Sequence, residues 1–156
     1  MYSAILTVHS YLRYAVLGLV LLVLLRYAAA LLSGRPWNDG DEGIGRWMIR
    51  VWDLQFLLGL VLYFLSPIVQ FGFANFGEAM GDSQVRQFLV EHPVLNLLAI
   101  GVLHAGWIRA RKAGGGRGRM LRALLFIAVA AALVAVSIPW EGRPLLRTTI
   151  APPQLY

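Results

Sequence analysis

Long apolar runs separated by short polar stretches divide the chain into four segments. The runs cover about residues 4–32, 47–68, 86–110 and 121–139. A helix of roughly 20 residues crosses the hydrocarbon core of a bilayer, and each run is close to that length or longer. The pattern predicts an all-α protein, an integral membrane four-helix bundle of up-down topology, with a single transmembrane domain over residues 1–156.

Polar and helix-breaking residues occupy the stretches between the runs. Residues 33–45 contain four glycines and a proline, which predicts a loop whose acidic side chains are solvated. These acidic residues are Asp39, Asp41 and Glu42. Residues 69–85 mix three phenylalanines with polar residues, a composition that favours the headgroup region and a short interfacial helix. The proline-rich residues 140–156 predict an extended tail outside the membrane.

The composition agrees with a membrane protein. Hydrophobic residues make up 58% of the chain and the mean hydropathy is +0.64, above what is usual for a soluble domain. The chain contains no cysteine, which excludes disulfides, iron–sulfur clusters and thiolate metal sites. The first apolar run is longer than the apolar core of a signal peptide, so we expect it to be a permanent span.

The distribution of charge predicts an orientation. The net charge is +6, and basic residues concentrate between the third and fourth runs, whereas the 69–85 connector is acidic. The basic residues of that loop are Arg109, Arg111, Lys112, Arg117 and Arg119. Loops rich in Lys and Arg stay in the cytoplasm, so we expect both termini on the periplasmic side of a bacterial inner membrane. No groove-reading or base-stacking motif accompanies the charge, and we expect no nucleic-acid partner.

Two of the three histidines lie near the starts of segments that run in the same direction. His9 belongs to the first run and His92 to the third, so both are expected at similar depth near the outer surface. In an up-down bundle these two helices are diagonal neighbours, roughly 13 Å apart. A flat cofactor ligated from both sides fits this gap. Haem b is the expected cofactor because histidine is a common axial ligand, with His9 and His92 as ligands of the iron.

Two charged residues accompany these histidines. Arg13 lies one turn after His9 on the same helix face, where it can pair with a haem propionate or with Glu91. Glu91 precedes His92 but points about 100° away from it around the helix, so the two side chains are not automatically a pair. We expect Glu91 to contact the cofactor, and the alternative is that it caps the helix start. An alternative explanation makes both histidines interfacial residues that bond to headgroups, water or backbone.

A second polar cluster is expected deeper in the bundle. Counting about 1.5 Å per residue along each helix places Asp53 and His104 at similar depth, and Arg26 approaches the same level. Because buried charges must pair, we expect these three residues to form a structural network. A proton relay or ligation of a second cofactor is the alternative role.

Four blocks of sequence carry a resemblance to a known family. They are His9-Ser10-Tyr11-Leu12-Arg13-Tyr14, residues 55–64, Val90-Glu91-His92-Pro93 and Ser137-Ile138-Pro139-Trp140, one in each run. Together they resemble small four-span bacterial membrane proteins labelled as b-type cytochromes, a family of poorly defined role. The resemblance implies a haem carried by His9 and His92, the same two residues that the depth argument selects.

The expected function is electron transfer by a membrane-bound b-haem protein that belongs to a respiratory or quinone-linked complex. The expected partners are the lipid bilayer, other membrane subunits or a further copy of the chain, and a quinone or a periplasmic electron carrier. No arrangement of residues indicates hydrolysis or group transfer, so no catalytic residue is expected. The alternatives are a cofactor-free accessory subunit and a proton or metal-ion conductor that uses Asp53 and His104.

Overall fold

The computed structural model describes residues 1–138, which form helices and contain no strand. In chain order the helices are α1 (Tyr2–Leu32), α2 (Asp39–Leu65), α3 (Pro67–Ala74), α4 (Phe76–Gly81), α5 (Ser83–Arg86), a π-helical turn (Gln87–Glu91), α6 (His92–Arg111) and α7 (Gly116–Ser137). From α5 to α6 the helix is continuous over Ser83–Arg111. The predicted tail, residues 140–156, lies outside the described residues, as does Pro139 at the end of the fourth run.

Within residues 1–138, four helices are long and apolar enough to cross a membrane, which confirms for this part of the chain the all-α class and the number of apolar helices. Their bounds differ from the predicted ones. The second helix begins at Asp39 rather than at residue 47, and the fourth begins at Gly116 rather than at residue 121. Both start inside stretches that were predicted as loops. The glycines of these stretches do not prevent a helix, and the start of α2 is stabilised by a side-chain cap.

The start of α2 is stabilised by a reciprocal cap. The side chain of Asn38 accepts from the Asp41 N–H at 3.0 Å, and the Asp41 carboxylate accepts from the Asn38 N–H at 3.0 Å. The prediction that Asp41 is solvated is wrong, because its carboxylate is fully buried and binds Arg26 at 2.7 Å and Arg35 at 2.8 Å. The hydrogen bond to Asp41 raises the pKa of Arg35, and both arginines satisfy a charge that burial would otherwise disfavour. The Tyr27 hydroxyl donates to the Asp41 carbonyl at 2.8 Å.

The long helices pack in a ring in which α1 contacts α2 and α7, while α6 contacts α7 most extensively and α2 less so. Helices α1 and α6 therefore lie across the ring from each other. All four contribute to one apolar core. Its buried members include Val16, Val20, Val23, Tyr27, Met48, Ile49, Trp52, Ala99, Leu103, Ala110, Met120, Ala123, Ile127 and Ala130.

Two glycines allow the closest approaches between helices. A Cβ on Gly106 would collide with the Cβ and ring of Phe126, so the side chain of Phe126 on α7 packs directly against the backbone of α6 there. A Cβ on Gly45 would likewise collide with Trp107 and with the hydroxyl of Tyr27. Small residues at such contacts are how helices approach closely when lipid surrounds them.

A proline explains the π-helical turn before α6. Pro93 lies inside the continuous helix over Ser83–Arg111, so its missing N–H interrupts the backbone hydrogen bonds there. The carbonyl of Leu89, four residues earlier, loses its α-helical donor and accepts from the Tyr63 hydroxyl at 2.9 Å instead. The N–H of His92 bonds five residues back, to the carbonyl of Gln87.

The α1–α2 and α6–α7 loops contact each other, and we call this part of the molecule the loop end. The backbone of Trp37 lies against Gly116, and its ring centroid is 6.1 Å from that of Trp107. Arg111 and Glu42 approach to 3.4 Å across the same gap. Each of the four long helices therefore has one terminus at the loop end: the C-termini of α1 and α6 and the N-termini of α2 and α7.

The connector between α2 and α6 folds into short helices rather than a single interfacial helix. It has its own small core, formed by Val69, Ala79, Val85 and Leu89. Phe73 and Phe76 are 60% and 56% exposed, and their place in the headgroup region stays a prediction. We call this part of the molecule the connector end.

Candidate functional site

A cavity of about 570 Å³ lies among the long helices at the connector end. Its wall comes from the first half of α1, the second half of α2, the start of α6 and the end of α7, together with residues of α3, α4 and the π-helical turn. Apolar and aromatic side chains make up most of the wall. Polar groups are few and include His9, Ser10, Arg13, Gln55, His92 and Asn96. A concave, mostly apolar space of this size with a few polar groups is typical of small-molecule and cofactor sites.

His92 stands at the start of α6 with its ring orientation fixed by α7. Its Nδ1 lies 3.0 Å from the backbone carbonyl of Ser137. A carbonyl oxygen can only accept, so Nδ1 carries the hydrogen and the neutral ring presents a lone pair at Nε2. Metal-ligating histidines commonly donate their other ring N–H to a backbone carbonyl in this way. A histidine with this hydrogen bond can bind a metal through Nε2.

Two amides that sequence reasoning missed support this arrangement. Gln87 Nε2 donates to the same Ser137 carbonyl at 3.0 Å. Asn96 Nδ2 donates to the Ser137 hydroxyl at 2.9 Å and to the His92 carbonyl at 2.8 Å. One signal was present in the sequence, since Asn96 follows His92 by one helical turn and an amide in an apolar run needs a partner.

His9 enters the cavity from α1 and rests on α2. Gln55 Nε2 donates to the His9 carbonyl at 3.0 Å and lies 3.3 Å from His9 Nε2. The imidazole packs against Gly59, where an added Cβ would come within 3.1 Å of the ring carbon Cε1. Gly59 therefore makes room for the imidazole between α1 and α2.

The two charged residues predicted near the cofactor separate. Arg13 lines the cavity, with its Nη2 donating to the Tyr14 hydroxyl at 3.2 Å. Glu91 does not line the cavity and pairs with Arg86 at 2.8 Å. The expected pairing of Arg13 with Glu91 is not made, because Glu91 pairs with Arg86 of α5 instead. The cavity thus brings together His9, Arg13 and His92 but leaves out Glu91.

The deeper cluster forms only in part. Asp53 Oδ1 and His104 Nε2 are 2.8 Å apart, as the depth count predicted. Arg26 is not their partner, because it binds Asp41 instead. The pair is also less buried than expected: the side chains of Asp53 and His104 are 37% and 48% exposed. It lies on the outer face between α2 and α6, away from the cavity.

The donor set of the cavity limits which metal it suits. Within residues 1–138 no three His, Asp or Glu side chains gather closely enough to hold an ion by themselves. Two histidines from helices across the ring suit a metal that brings its own equatorial ligands, as haem iron does. The residues present therefore fit a haem better than a bare metal ion.

Comparison of the chain with protein-family models, curated proteins and solved structures finds no match. The functional assignment consequently depends on the geometry of the chain itself.

Proposed function

We propose that the protein spans a bacterial inner membrane as an up-down four-helix bundle and binds haem b in the cavity for one-electron transfer. One observation carries this proposal: His92 Nδ1 donates to a backbone carbonyl in a cavity that His9 also lines. The proposed partners are further subunits of a respiratory or quinone-linked complex, and a quinone or a periplasmic carrier as the electron-exchange partner.

The placement of the helix ends supports the up-down topology. The cavity is lined by the N-terminal parts of α1 and α6 and the C-terminal parts of α2 and α7. The opposite four ends meet at the loop end, which carries most of the basic residues. Arg35, Arg46, Arg50, Arg109, Arg111, Lys112, Arg117, Arg119 and Arg122 all lie in or near the two loops there. By the positive-inside rule the loop end faces the cytoplasm, and the cavity opens near the periplasmic surface.

Each cavity residue has a defined role in this proposal. His92 and His9 would hold the haem iron, and Arg13 would supply positive charge for a propionate. The wall is mostly apolar, and the reduction potential of a haem bound there would depend on its ligands and on nearby hydrogen bonds. Haem, when bound, supplies the one-electron chemistry; the chain positions it and sets its potential.

The amide of Gln55 has a place in the same proposal. It contacts both the His9 ring and the His9 carbonyl, and the hydrogen bond to the carbonyl does not involve the ring. If His9 held the iron through Nε2, Gln55 would still position His9 through the hydrogen bond to its carbonyl.

Absorption spectra of the purified protein, oxidised and dithionite-reduced, test the proposal. We expect a Soret band and a reduced α band in the wild type, with loss of bound haem in His92→Ala and in His9→Ala. His104→Ala is the matched control, since His104 is the remaining histidine of the chain and lies outside the cavity. It should keep the full spectrum.

A featureless visible spectrum after expression with ample haem would contradict the proposed cytochrome function. The contact between Gln55 and the His9 ring would then favour the second candidate, a cofactor-free accessory subunit in which both histidines are structural. Retention of haem by His92→Ala would equally contradict the proposed ligand set.

A further inference from the structure

The Asp53–His104 pair occupies an unusual position for two ionisable groups. It lies on the outside of the ring between α2 and α6, with side chains that are 37% and 48% exposed. Asp53 is 14 residues from the start of α2 and 12 from its end, about 21 Å and 18 Å along the helix axis. If these helices span a membrane, the pair faces the lipid side of the bundle.

Ionisable side chains within a membrane almost always face protein or a water-filled space, because lipid cannot satisfy them. The mutual hydrogen bond of Asp53 and His104 uses one oxygen and one ring nitrogen. The second carboxylate oxygen of Asp53 and the Nδ1 of His104 are polar atoms on side chains that remain well exposed. A surface that covers the pair must therefore offer both a donor and an acceptor at the same depth.

The surrounding face has the shape of a helix contact. One turn from Asp53 on α2 is Leu57, and one and two turns from His104 on α6 are Ile108 and Leu97, each more than half exposed. Gly101 lies between Leu97 and His104, and a Cβ built there would meet nothing within 4 Å. The face is an apolar band with a small residue at its centre, which lets another helix approach closely.

We propose that this α2–α6 face is the contact between two copies of the chain, arranged about a two-fold axis along the membrane normal. Such an axis exchanges the α2 and α6 sides of the face while keeping depth unchanged, so Asp53 of each copy meets His104 of the other. Because Asp53 and His104 lie side by side at equal depth, the rotation places the acid of each copy opposite the base of the other, and the two surfaces are complementary. The inference rests on the membrane insertion in the proposed function and not on haem.

Cysteine cross-linking tests the contact directly, because the chain has no cysteine of its own. Under the proposed rotation α6 of one copy faces α2 of the other, so Gly101→Cys in one tagged copy and Leu57→Cys in the other lie across the contact at similar depth. In the control mixture Val129→Cys on α7, a residue that is 52% exposed, replaces Gly101→Cys. In vesicles of phosphatidylethanolamine and phosphatidylglycerol, mild oxidation should link the Gly101→Cys and Leu57→Cys copies to each other and leave the control mixture unlinked. Equal linking in both mixtures, or none between Gly101→Cys and Leu57→Cys, would overturn the proposal.

A complementation experiment tests the acid–base pairing. Asp53→His carries two histidines on this face and His104→Asp two acids, so each variant alone should dimerise about tenfold more weakly than the wild type, a difference of about 1.4 kcal/mol. Co-expressed with different tags, the two variants should pair at the wild-type level. Wild-type dimerisation of either variant alone, or no recovery in the mixture, contradicts the pairing.

The outcomes separate this inference from the proposed function. A Soret band in a strictly monomeric protein would support haem binding and contradict the dimer. A colourless protein that dimerises would support the dimer and contradict haem binding. Release of the protein from membranes by alkaline carbonate would discard membrane insertion, on which both proposals depend. The cysteine test uses the wild-type pair, so its result does not depend on the folding of the charge variants.

Discussion

Single residues determine what the cavity can bind, and the sequence predicted them unevenly. His9 and His92 stood out because ionisable residues are rare in apolar runs, and both line the cavity. Gln87 and Asn96 were missed because their acceptors belong to Ser137, which only the fold brings near. Arg26 was misplaced because depth along a helix does not specify direction around it, and Asp41 offers a closer partner.

At this scale, Gln87→Leu tests how the chain tunes the iron. Gln87 and His92 share the Ser137 carbonyl, so removing the amide leaves this acceptor to His92 and strengthens its Nδ1–H hydrogen bond. The imidazole becomes a stronger electron donor and favours the oxidised iron. We expect the reduction potential to fall by about 20–40 mV, where about 59 mV is tenfold for one electron.

A spectroelectrochemical titration of the haem-loaded protein measures this change. Gln84→Leu, an exposed glutamine of α5, is the control and should leave the potential unchanged. A rise in potential for Gln87→Leu would contradict the role assigned to the shared carbonyl.

Whole helices were predicted more reliably than their ends. Length and apolar content identify a helix from sequence alone, but a helix start depends on local bonds such as the Asn38–Asp41 cap. The glycines of residues 33–45 suggested a loop, yet Gly45 lies inside α2, against Trp107. Such a position is decided by the neighbouring helix, and no pattern within the segment itself contains that information.

Gly106→Ala tests the closest helix contact. The added Cβ would overlap the Cβ of Phe126, which cannot move without displacing the α7 backbone. We expect the free energy of unfolding to fall by about 1–3 kcal/mol. Unfolding in mixed detergent micelles, followed by circular dichroism, gives the measurement.

Gly18→Ala provides the matched control, because a Cβ on Gly18 would meet no atom within 4 Å. Alanine is the better helix former, so this variant should be as stable as the wild type or more stable by up to about 1 kcal/mol. Equal effects of the two substitutions would show that α6 and α7 do not depend on this close contact.

At the scale of the whole molecule, the two ends differ in charge and content. Among the described residues, basic side chains surround the loop end, whereas the connector end holds the cavity and few cations. The sequence predicted this asymmetry because loop charge is visible without a fold. The cavity itself was not visible, since its wall comes from residues of four helices that are distant in sequence.

Labelling of single cysteines tests the orientation that we propose. Gly114→Cys lies in the exposed α6–α7 loop and Ala74→Cys at the exposed end of α3. A membrane-impermeant maleimide added to intact spheroplasts should label Ala74→Cys alone, and both variants should react after permeabilisation. The reverse pattern would invert the topology, and labelling of both in intact spheroplasts would contradict a chain that crosses the membrane between them.

The π-helical turn also sets the angular spacing of the side chains around it. Positions five apart in a regular α-helix differ by about 140° around the axis, which would point Gln87 and His92 in diverging directions. The wider winding narrows that angle, so both side chains reach one oxygen of α7. In a regular α-helix over the same residues, Gln87 and His92 could not both point at the Ser137 carbonyl. His92 would then no longer share this acceptor with Gln87.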